Sequence, residues 1–468
     1  MVEITVEQIL KATGGELLME SATAFSGVSI DTRTIKDGEL FFAIKGDRFN
    51  GHDFLEDALA KGGGAVVDTK PEVLPQGKTL IHVSDTLRSL QDLAHYLRGE
   101  RDIPVVAVTG SNGKTTTKEM LHRILSRKYK TLKNAGNLNN HIGLPLSLMK
   151  LDPADEMIVL EMGMNATGEI RRLCEIARPT HGVITNVGAA HLGMLGSYEA
   201  VRDAKLEIVD GLSVAVVNAD DRFLIQGFNE ISDFHGSVIT FALKNINHDD
   251  GSFNADVTAG ELKATDKGSD FLIEISGKGA IHVSLKVHGL FNIYNALAAS
   301  AVSFSLGMEM EDIKAGLEEY SAFPMRFEIF EINGITIIND SYNANLSSTR
   351  ESLLELLRIG SGGRKVAVLG DMLELGVFSD DSHREIGRTI VDMGIDVFIA
   401  VGEKMGLAAG ECINCRGVHK FPDVYCFSDS EHAGREISGI VQQMDTVLIK
   451  GSRSMAMEKI IKDMTDAV

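Results

Sequence analysis

The segment Thr109-Gly110-Ser111-Asn112-Gly113-Lys114-Thr115-Thr116 gathers residue types that grip a nucleoside triphosphate. The apolar run Val105–Val108 precedes it and a helix-forming stretch follows. That order has a chemical reason. Backbone N–H groups of a glycine-bearing turn and of a helix N-terminus bind phosphate, a lysine neutralises the outer phosphates, and a threonine hydroxyl ligates Mg²⁺. The general pattern asks for glycine where Val108 stands, and Gly110 supplies it later, in a tighter loop. Gly110, Ser111, Asn112, Gly113, Lys114, Thr115 and Thr116 are therefore the expected phosphate-binding residues. Kinases, GTPases and motors all carry loops of this kind, so other positions must choose the reaction.

Glu161 ends the apolar run MIVLE, where a carboxylate faces a nucleotide crevice and can complete a Mg²⁺ shell. His191 lies just past another strand end, in TNVGAAHL, and Lys205 sits on a helix, in EAVRDAKLEI. Taken singly, a strand-end Glu is often solvated, a loop His often caps a turn, and a helical Lys is usually on the surface. Asn292 and Asn295 share one helical face, which alone reads as a cap and a polar stripe. Asn137, Asn139 and Asn140 alone read as a turn.

The elements that must position these groups follow an α/β pattern. Apolar runs at 105–108, 157–160, 183–184 and 214–217 alternate with helices, as in a parallel sheet covered on both faces. Residues 253–288 switch to alternating patterns such as HVSLKV and read as antiparallel hairpins, closed by a helix over 292–306. A second alternation places strands at 366–369, 397–401 and 447–449, ending in loops at Asp371, Glu403, and Lys450 with Arg453. In open α/β sheets ligands sit outside such strand ends. The first hundred residues mix short strands with helices, and 99–104 reads as a linker. The expected organisation is three α/β domains: 1–99, small; 100–322, a P-loop parallel sheet with a β-hairpin insertion; and 323–468, Rossmann-like.

With 468 residues, the chain is too long for one core. A formal net charge of −20 argues against general binding to nucleic acid or acidic membranes, so an anionic substrate needs local cations. No apolar run reaches the length of a membrane span, and the first eleven residues lack a signal-peptide pattern, so a cytoplasmic location is expected. Cys412, Cys415, His419 and Cys426 raise a zinc site, but their spacing departs from finger patterns and ordinary packing is the preferred reading.

The ordered series TGSNGKTT, KNAGNLNNHIGLPL, LEMGMN, TNVGAAHL, AKLEI and HGLFNIYNALAA resembles the Mur ligases, which build the peptide of bacterial cell-wall precursors. The resemblance spans nearly the whole chain. SIDTRTIKDGELFFAIKGDRFNGHDF, NDSYNANLSS, LGDMLELG, HREIG and LIKGSRSMAME bring it closest to the branch that adds D-alanyl-D-alanine to UDP-N-acetylmuramoyl-tripeptide. It implies an ATP-dependent amide ligase that forms an acyl phosphate, which an amine then attacks. Carried over, Lys114, Glu161, His191 and Lys205 are the catalytic residues. Thr115 and Glu161 would hold one Mg²⁺; His191 would hold a second, with Lys205 as a carbamate. Asn295 would lie near adenine, with Arg326 and Asp340 near the γ-phosphate and ribose. Thr32, Lys45, Gly46, Asp47 and Arg48, with Asn137, Asn139 and Asn140, would contact the UDP substrate. A monomer acting on small molecules is expected.

Two departures stand out. Asn50 replaces the commoner Asp before Gly51-His52, and Leu346 replaces the proline of YNANP, which is expected to loosen that loop. The Asp-Asn-Pro-Arg by which a sister ligase grips a diamino acid is absent, which favours D-alanyl-D-alanine. Competing readings are a folylpolyglutamate or cyanophycin synthetase type, and a nucleotide-gated scaffold with a vestigial site. The N-terminal segment and NDSYNAN count against the first, and the intact Lys114, Glu161, His191 and Lys205 against the second.

Overall fold

The computed structural model describes residues 3–46, 49–244, 255–359, 362–414 and 421–466. Three sheets follow one another along the chain. The first has strands in the order Glu16–Met19, Thr79–His82, Gly64–Val67, Glu39–Phe42, Gly27–Ser29, parallel except at its first pair. The helix Thr86–Gly99 leaves it, capped by Asp85, whose carboxylate accepts Arg88 N–H at 2.8 Å. The segment expected as a linker follows this helix and is held by hydrogen bonds. The buried Arg98 donates to Ala177 O and Ile103 O at 3.0 Å each, and Arg101 donates to Asp152 O, Pro153 O and Asp155 O.

Nine strands form the second sheet. Thr131–Lys133, Met157–Glu161, Val105–Thr109, His181–Ile184, Val214–Asn218, Ser237–Leu243 and Val257–Thr265 run parallel in that spatial order. Their central members are buried along their length, as the continuous apolar runs require of a sheet covered on both faces. The expected hairpins are present as Val257–Thr265, Gly268–Ile275 and Gly279–Leu285. They continue the same sheet, because Val257–Thr265 pairs in parallel with Ser237–Leu243.

From Val105–Thr109 the chain crosses to one edge, and from Met157–Glu161 it returns over that strand to His181–Ile184. This reversal opens a crevice at the carboxyl ends of the strands. The helices Lys114–Leu125 and Leu290–Ser305 pack side by side over it.

In the third sheet, Glu328–Ile332, Ile335–Asp340, Thr446–Lys450, Lys365–Gly370, Val397–Val401 and Asp423–Phe427 stand in that order, parallel after the first antiparallel pair. Asp340 and Lys450 thereby end side by side. Leu346 opens the helix Leu346–Arg358 and packs against both the central and the C-terminal cores. Proline is tolerated at a first helical position because that N–H has no helical partner, so leucine costs the helix nothing there. Asn345 caps the helix by accepting Ser348 N–H at 2.9 Å. The loop expected to be loosened is held.

Candidate active site

Both glycines of the phosphate loop are required by its shape. Gly110 has φ 147° and Gly113 φ 82°. A Cβ at Gly110 would lie 1.9 Å from Thr185 Oγ1, and one at Gly113 would lie 2.1 Å from Asn295 Oδ1. Such approaches exclude any side chain. The helix Lys114–Leu125 begins at Gly113 without a side-chain cap, so its first N–H groups remain free for an anion. Asn186 fixes the loop from the neighbouring strand end, accepting Ser111 N–H on its carbonyl at 2.9 Å and Asn112 N–H on its side chain at 3.0 Å. Lys114 Nζ folds onto the carbonyls of Gly110 and Ser111 at 2.8 and 3.3 Å. Burial lowers its pKa, against the pull of Glu161.

Glu161 is buried at its strand end. Its Oε2 accepts Thr115 Oγ1–H at 2.8 Å and its Oε1 accepts Asn139 Nδ2–H at 2.7 Å. Asn134 clamps the same residue by its backbone, accepting its N–H at 2.9 Å and donating to its carbonyl at 3.0 Å. Lys118, fully buried, donates to Asn134 O at 3.0 Å and stands 3.9 Å from Glu161 Oε2. A hydroxyl and a carboxylate this close, beside a phosphate loop, are the hard oxygen donors that Mg²⁺ prefers. Among the described residues no three His, Cys, Asp or Glu side chains gather into a metal cage. Mg²⁺ at nucleotide sites draws its other ligands from phosphate and water.

His191 precedes the short helix Leu192–Leu195 with φ 61°. Its Nδ1 lies 3.1 Å from Glu374 Oε2, an ion pair when the ring is protonated. Glu374 reaches over from the C-terminal sheet and accepts Gly193 N–H on its carbonyl at 2.9 Å. Lys205 is 1% exposed, and no hydrogen bond or ion pair holds its amine among the described residues. Burial and the charge of Lys114 push its pKa well below the ordinary value, favouring the neutral amine.

The facing wall comes from the third sheet. Asp340 accepts Lys450 Nζ–H at 2.5 Å, Ser352 Oγ–H at 2.8 Å and Phe327 N–H at 3.2 Å. The Arg326 guanidinium stacks 4.0 Å from the Tyr342 ring centre, and its buried Nε has no hydrogen-bond partner among the described residues. Together the two walls line a cavity of about 530 Å³, bounded by Lys114, Glu161, His191, Asn295, Arg326 and Asp340.

The chain has relatives over its whole length. Residues 24–98 match the model of the Mur ligase family catalytic domain, 108–303 the Mur ligase middle domain, and 325–453 the Mur ligase glutamate ligase domain. A Bacillus subtilis UDP-N-acetylmuramoyl-tripeptide–D-alanyl-D-alanine ligase is 34% identical, with 100% of this chain and 99% of that protein covered. The chain belongs to the Mur ligase family. Its fold superposes on a MurF crystal structure from Acinetobacter baumannii with a TM-score of 0.90 at 31% identity, covering 100% and 99% of the two chains. The Thermotoga maritima MurF ligase in complex with ADP gives 0.81 at 28% identity, over 94% and 97%. Like those relatives, this Mur ligase is an ATP-dependent ligase of peptidoglycan synthesis. No helix among the described residues is long and apolar enough to cross a membrane.

Not every expected residue of this Mur ligase meets at the cavity. Thr32, Lys45 and Gly46 lie by the first sheet, off the cavity wall, where Thr32 O accepts Lys61 Nζ–H at 2.8 Å. Asp47 and Arg48 lie outside the described residues, as do Cys415 and His419. Cys412 is buried and Cys426 exposed. Asn50 takes the cap role open to Asp, accepting His52 N–H at 3.2 Å. Asn140 closes a turn by accepting the N–H groups of Ile142 and Gly143. Asn139 lines the cavity and donates to Glu161 Oε1 at 2.7 Å. Asn295 faces the phosphate loop, and its amide is bonded to Thr117 and Asn292, both at 3.3 Å.

Two strand-end groups of the C-terminal sheet do not face the crevice as expected. Asp371 is buried and accepts Met405 N–H at 2.7 Å and Lys404 N–H at 3.3 Å, because the helix Met405–Asn414 starts there with free donors. Arg453 is paired with Glu458 at 2.8 Å. Three residues in the site escaped the sequence reading: Glu374, Asn134 and Lys118. Glu374 and Asn134 stood inside the quoted motifs LGDMLELG and KNAGNLNN, and Lys118 two residues past TGSNGKTT.

Proposed function

We propose that this chain joins D-alanyl-D-alanine to UDP-N-acetylmuramoyl-tripeptide, using ATP and passing through an acyl phosphate, in cytoplasmic synthesis of peptidoglycan precursors. One observation carries the reading. A phosphate loop with the Thr115–Glu161 pair faces Arg326 and Asp340 across one cavity, in a chain matched end to end by ligases bearing that name. Lys114 would leave the carbonyls of its own loop for the β- and γ-phosphates of ATP. Arg326, its Nε unpaired and its plane braced by Tyr342, would meet charge developing on the transferred phosphoryl group. Asp340 and Asn295 would hold the nucleoside.

Thr115 and Glu161 would hold one Mg²⁺, and His191 with carbamoylated Lys205 a second. Bound there, the ions would screen phosphate from acyl carboxylate. The carbamate fits Lys205 because a buried amine without a partner is costly when charged and nucleophilic when neutral. Thr32, Lys45, Gly46, Asp47, Arg48, Asn137, Asn139 and Asn140 would serve the UDP substrate. The working division of the chain remains 1–99 for that substrate, 100–322 for ATP and 323–468 for the amine, in a monomer.

The test is phosphate release from ATP. It is expected only when UDP-muramoyl tripeptide and the amine are supplied together. Lys114→Ala should lower it on the order of 10²–10³-fold in a folded protein, through loss of preorganised charge at the transferring phosphate.

A further inference from the structure

Seven carboxylates line the cavity, and an ammonium substrate needs one of them. Most are occupied. Glu161 is bonded to Thr115 and Asn139, and Asp340 to Lys450 and Ser352. Glu169 accepts the N–H groups of Asn165 and Ala166, and Asp221 those of Val187 and Leu224. Asp220 accepts Tyr294 Oη–H and Leu243 N–H. Glu351 remains, and so does Glu374, whose Oε2 stands 3.1 Å from His191 Nδ1 while its Oε1 makes no bond among the described residues. Glu351 lies on the helix Leu346–Arg358 next to Ser352, which bonds Asp340 at the nucleoside end, whereas Glu374 stands beside His191 at the phosphoryl end.

The loop that carries Glu374 is built as a rigid mount. Asp371 is anchored on Met405 N–H and Lys404 N–H. Met372 N–H donates to Nε2 of the fully buried His383 at 3.0 Å, and His383 Nδ1 meets Ser379 O at 2.7 Å. Leu373 N–H donates to Ser452 Oγ at 2.8 Å. Glu374 itself takes a left-handed φ of 66°, and its carbonyl accepts Gly193 N–H. Three separate motifs, LGDMLELG, HREIG and LIKGSRSM, thus converge on four residues. Backbone strain held by so many bonds at a cavity wall marks a side chain that must point one way. That side chain is 44% exposed, open to the cleft.

Resting on the functional reading above, we propose that Glu374 is the residue that binds the ammonium group of the incoming dipeptide. Its carboxylate holds the nitrogen beside the phosphoryl end of the cavity, where the acyl phosphate forms. A charge-assisted hydrogen bond to a carboxylate fixes a small zwitterion by the end that must react. The neighbouring Leu373, also on the wall and exposed, offers apolar surface to a methyl group.

The experiment compares the wild-type enzyme with Glu374→Gln and Glu374→Asp. Amide formation is measured against D-alanyl-D-alanine concentration. Acyl phosphate is measured separately, with ATP and UDP-muramoyl tripeptide, by trapping with hydroxylamine, a neutral nucleophile that needs no carboxylate partner. Glu374→Gln should raise KM for the dipeptide on the order of 10- to 100-fold, the loss expected for one hydrogen bond to a charged group. Trapped acyl phosphate should fall far less, and Glu374→Asp should recover part of the affinity. An unchanged dipeptide KM overturns the proposal, as does a trapping loss equal to the ligation loss, which would make Glu374 only a brace for His191. Wild-type enzyme that forms acyl phosphate and never ligates the dipeptide overturns the functional reading instead, and this proposal with it.

Discussion

Asn345 Nδ2 donates to Asn112 Oδ1 at 2.8 Å, which joins the cap of a C-terminal helix to the phosphate loop of the central sheet. Asn112 Nδ2 donates in turn to Ser347 Oγ at 3.0 Å. ATP would be gripped from both sides of this clasp, and a closed site keeps water from an acyl phosphate. Asn345→Ser should preserve the helix cap but not reach Asn112, since serine caps nearly as well as asparagine. The expected result is a thermal midpoint close to wild type, with kcat/KM for ATP lower by roughly 5- to 30-fold, about one to two hydrogen bonds. Asn345→Ala should show the same kinetic loss and about 1 kcal/mol less stability. Steady-state kinetics and thermal melts on both variants check this. Unchanged kinetics in Asn345→Ser would show the clasp to be idle.

Lys205 makes the second prediction. An unpaired buried lysine is expected to carry one bound CO₂ when the enzyme is active. Intact-protein mass measured under native conditions, with and without bicarbonate, should show the addition. Lys205→Ala should lose activity on the order of 10²-fold or more and regain part of it with short carboxylates, which refill the vacated site with a hard donor. A free amine in fully active enzyme would contradict the carbamate.

What the sequence made legible was local. The phosphate loop, Glu161 at its strand end and the parallel runs could be read because each follows from a short pattern with one physical cause. Positions decided by distant partners could not. Glu374 belongs to a loop without periodicity and acquires meaning only beside His191, far away in the chain. The pairing of 257–265 with 237–243 depends on strand order, which no alternation pattern encodes. Asp371 was correctly placed at a strand end, yet its direction depended on the free N–H groups of a later helix. Strands such as 328–332 and 335–340 were missed in a stretch read mainly for its NDSYNAN motif.

His383 gives the expected pH dependence. Burial is the main reason its pKa falls below the ordinary 6.5. In the folded protein its neutral ring accepts Met372 N–H, so the folded state binds fewer protons than the unfolded chain between the lowered value and 6.5. Its contribution to stability is therefore complete above pH 6.5 and is lost as pH falls through the folded value. His383→Ala should cost about 1–3 kcal/mol by leaving Met372 N–H unpaired, and should flatten this acid limb. Thermal melts from pH 8 to 5 on both proteins read the difference. Parallel pH profiles would remove His383 from the account.

The central claim is the reaction itself, and product mass tests it most directly. Purified enzyme is incubated with ATP, Mg²⁺ and UDP-N-acetylmuramoyl-tripeptide, with D-alanyl-D-alanine, lysine or diaminopimelate as amine, and the same amines are tried with the UDP-muramoyl dipeptide. The expected result is one new amide, between the tripeptide and D-alanyl-D-alanine, formed with equal amounts of ADP and phosphate. Close analogues of the dipeptide would react more slowly, because each methyl-sized pocket discriminates by only ~1–3 kcal/mol. Addition of lysine or diaminopimelate to the UDP-muramoyl dipeptide, with none of D-alanyl-D-alanine to the tripeptide, would contradict it.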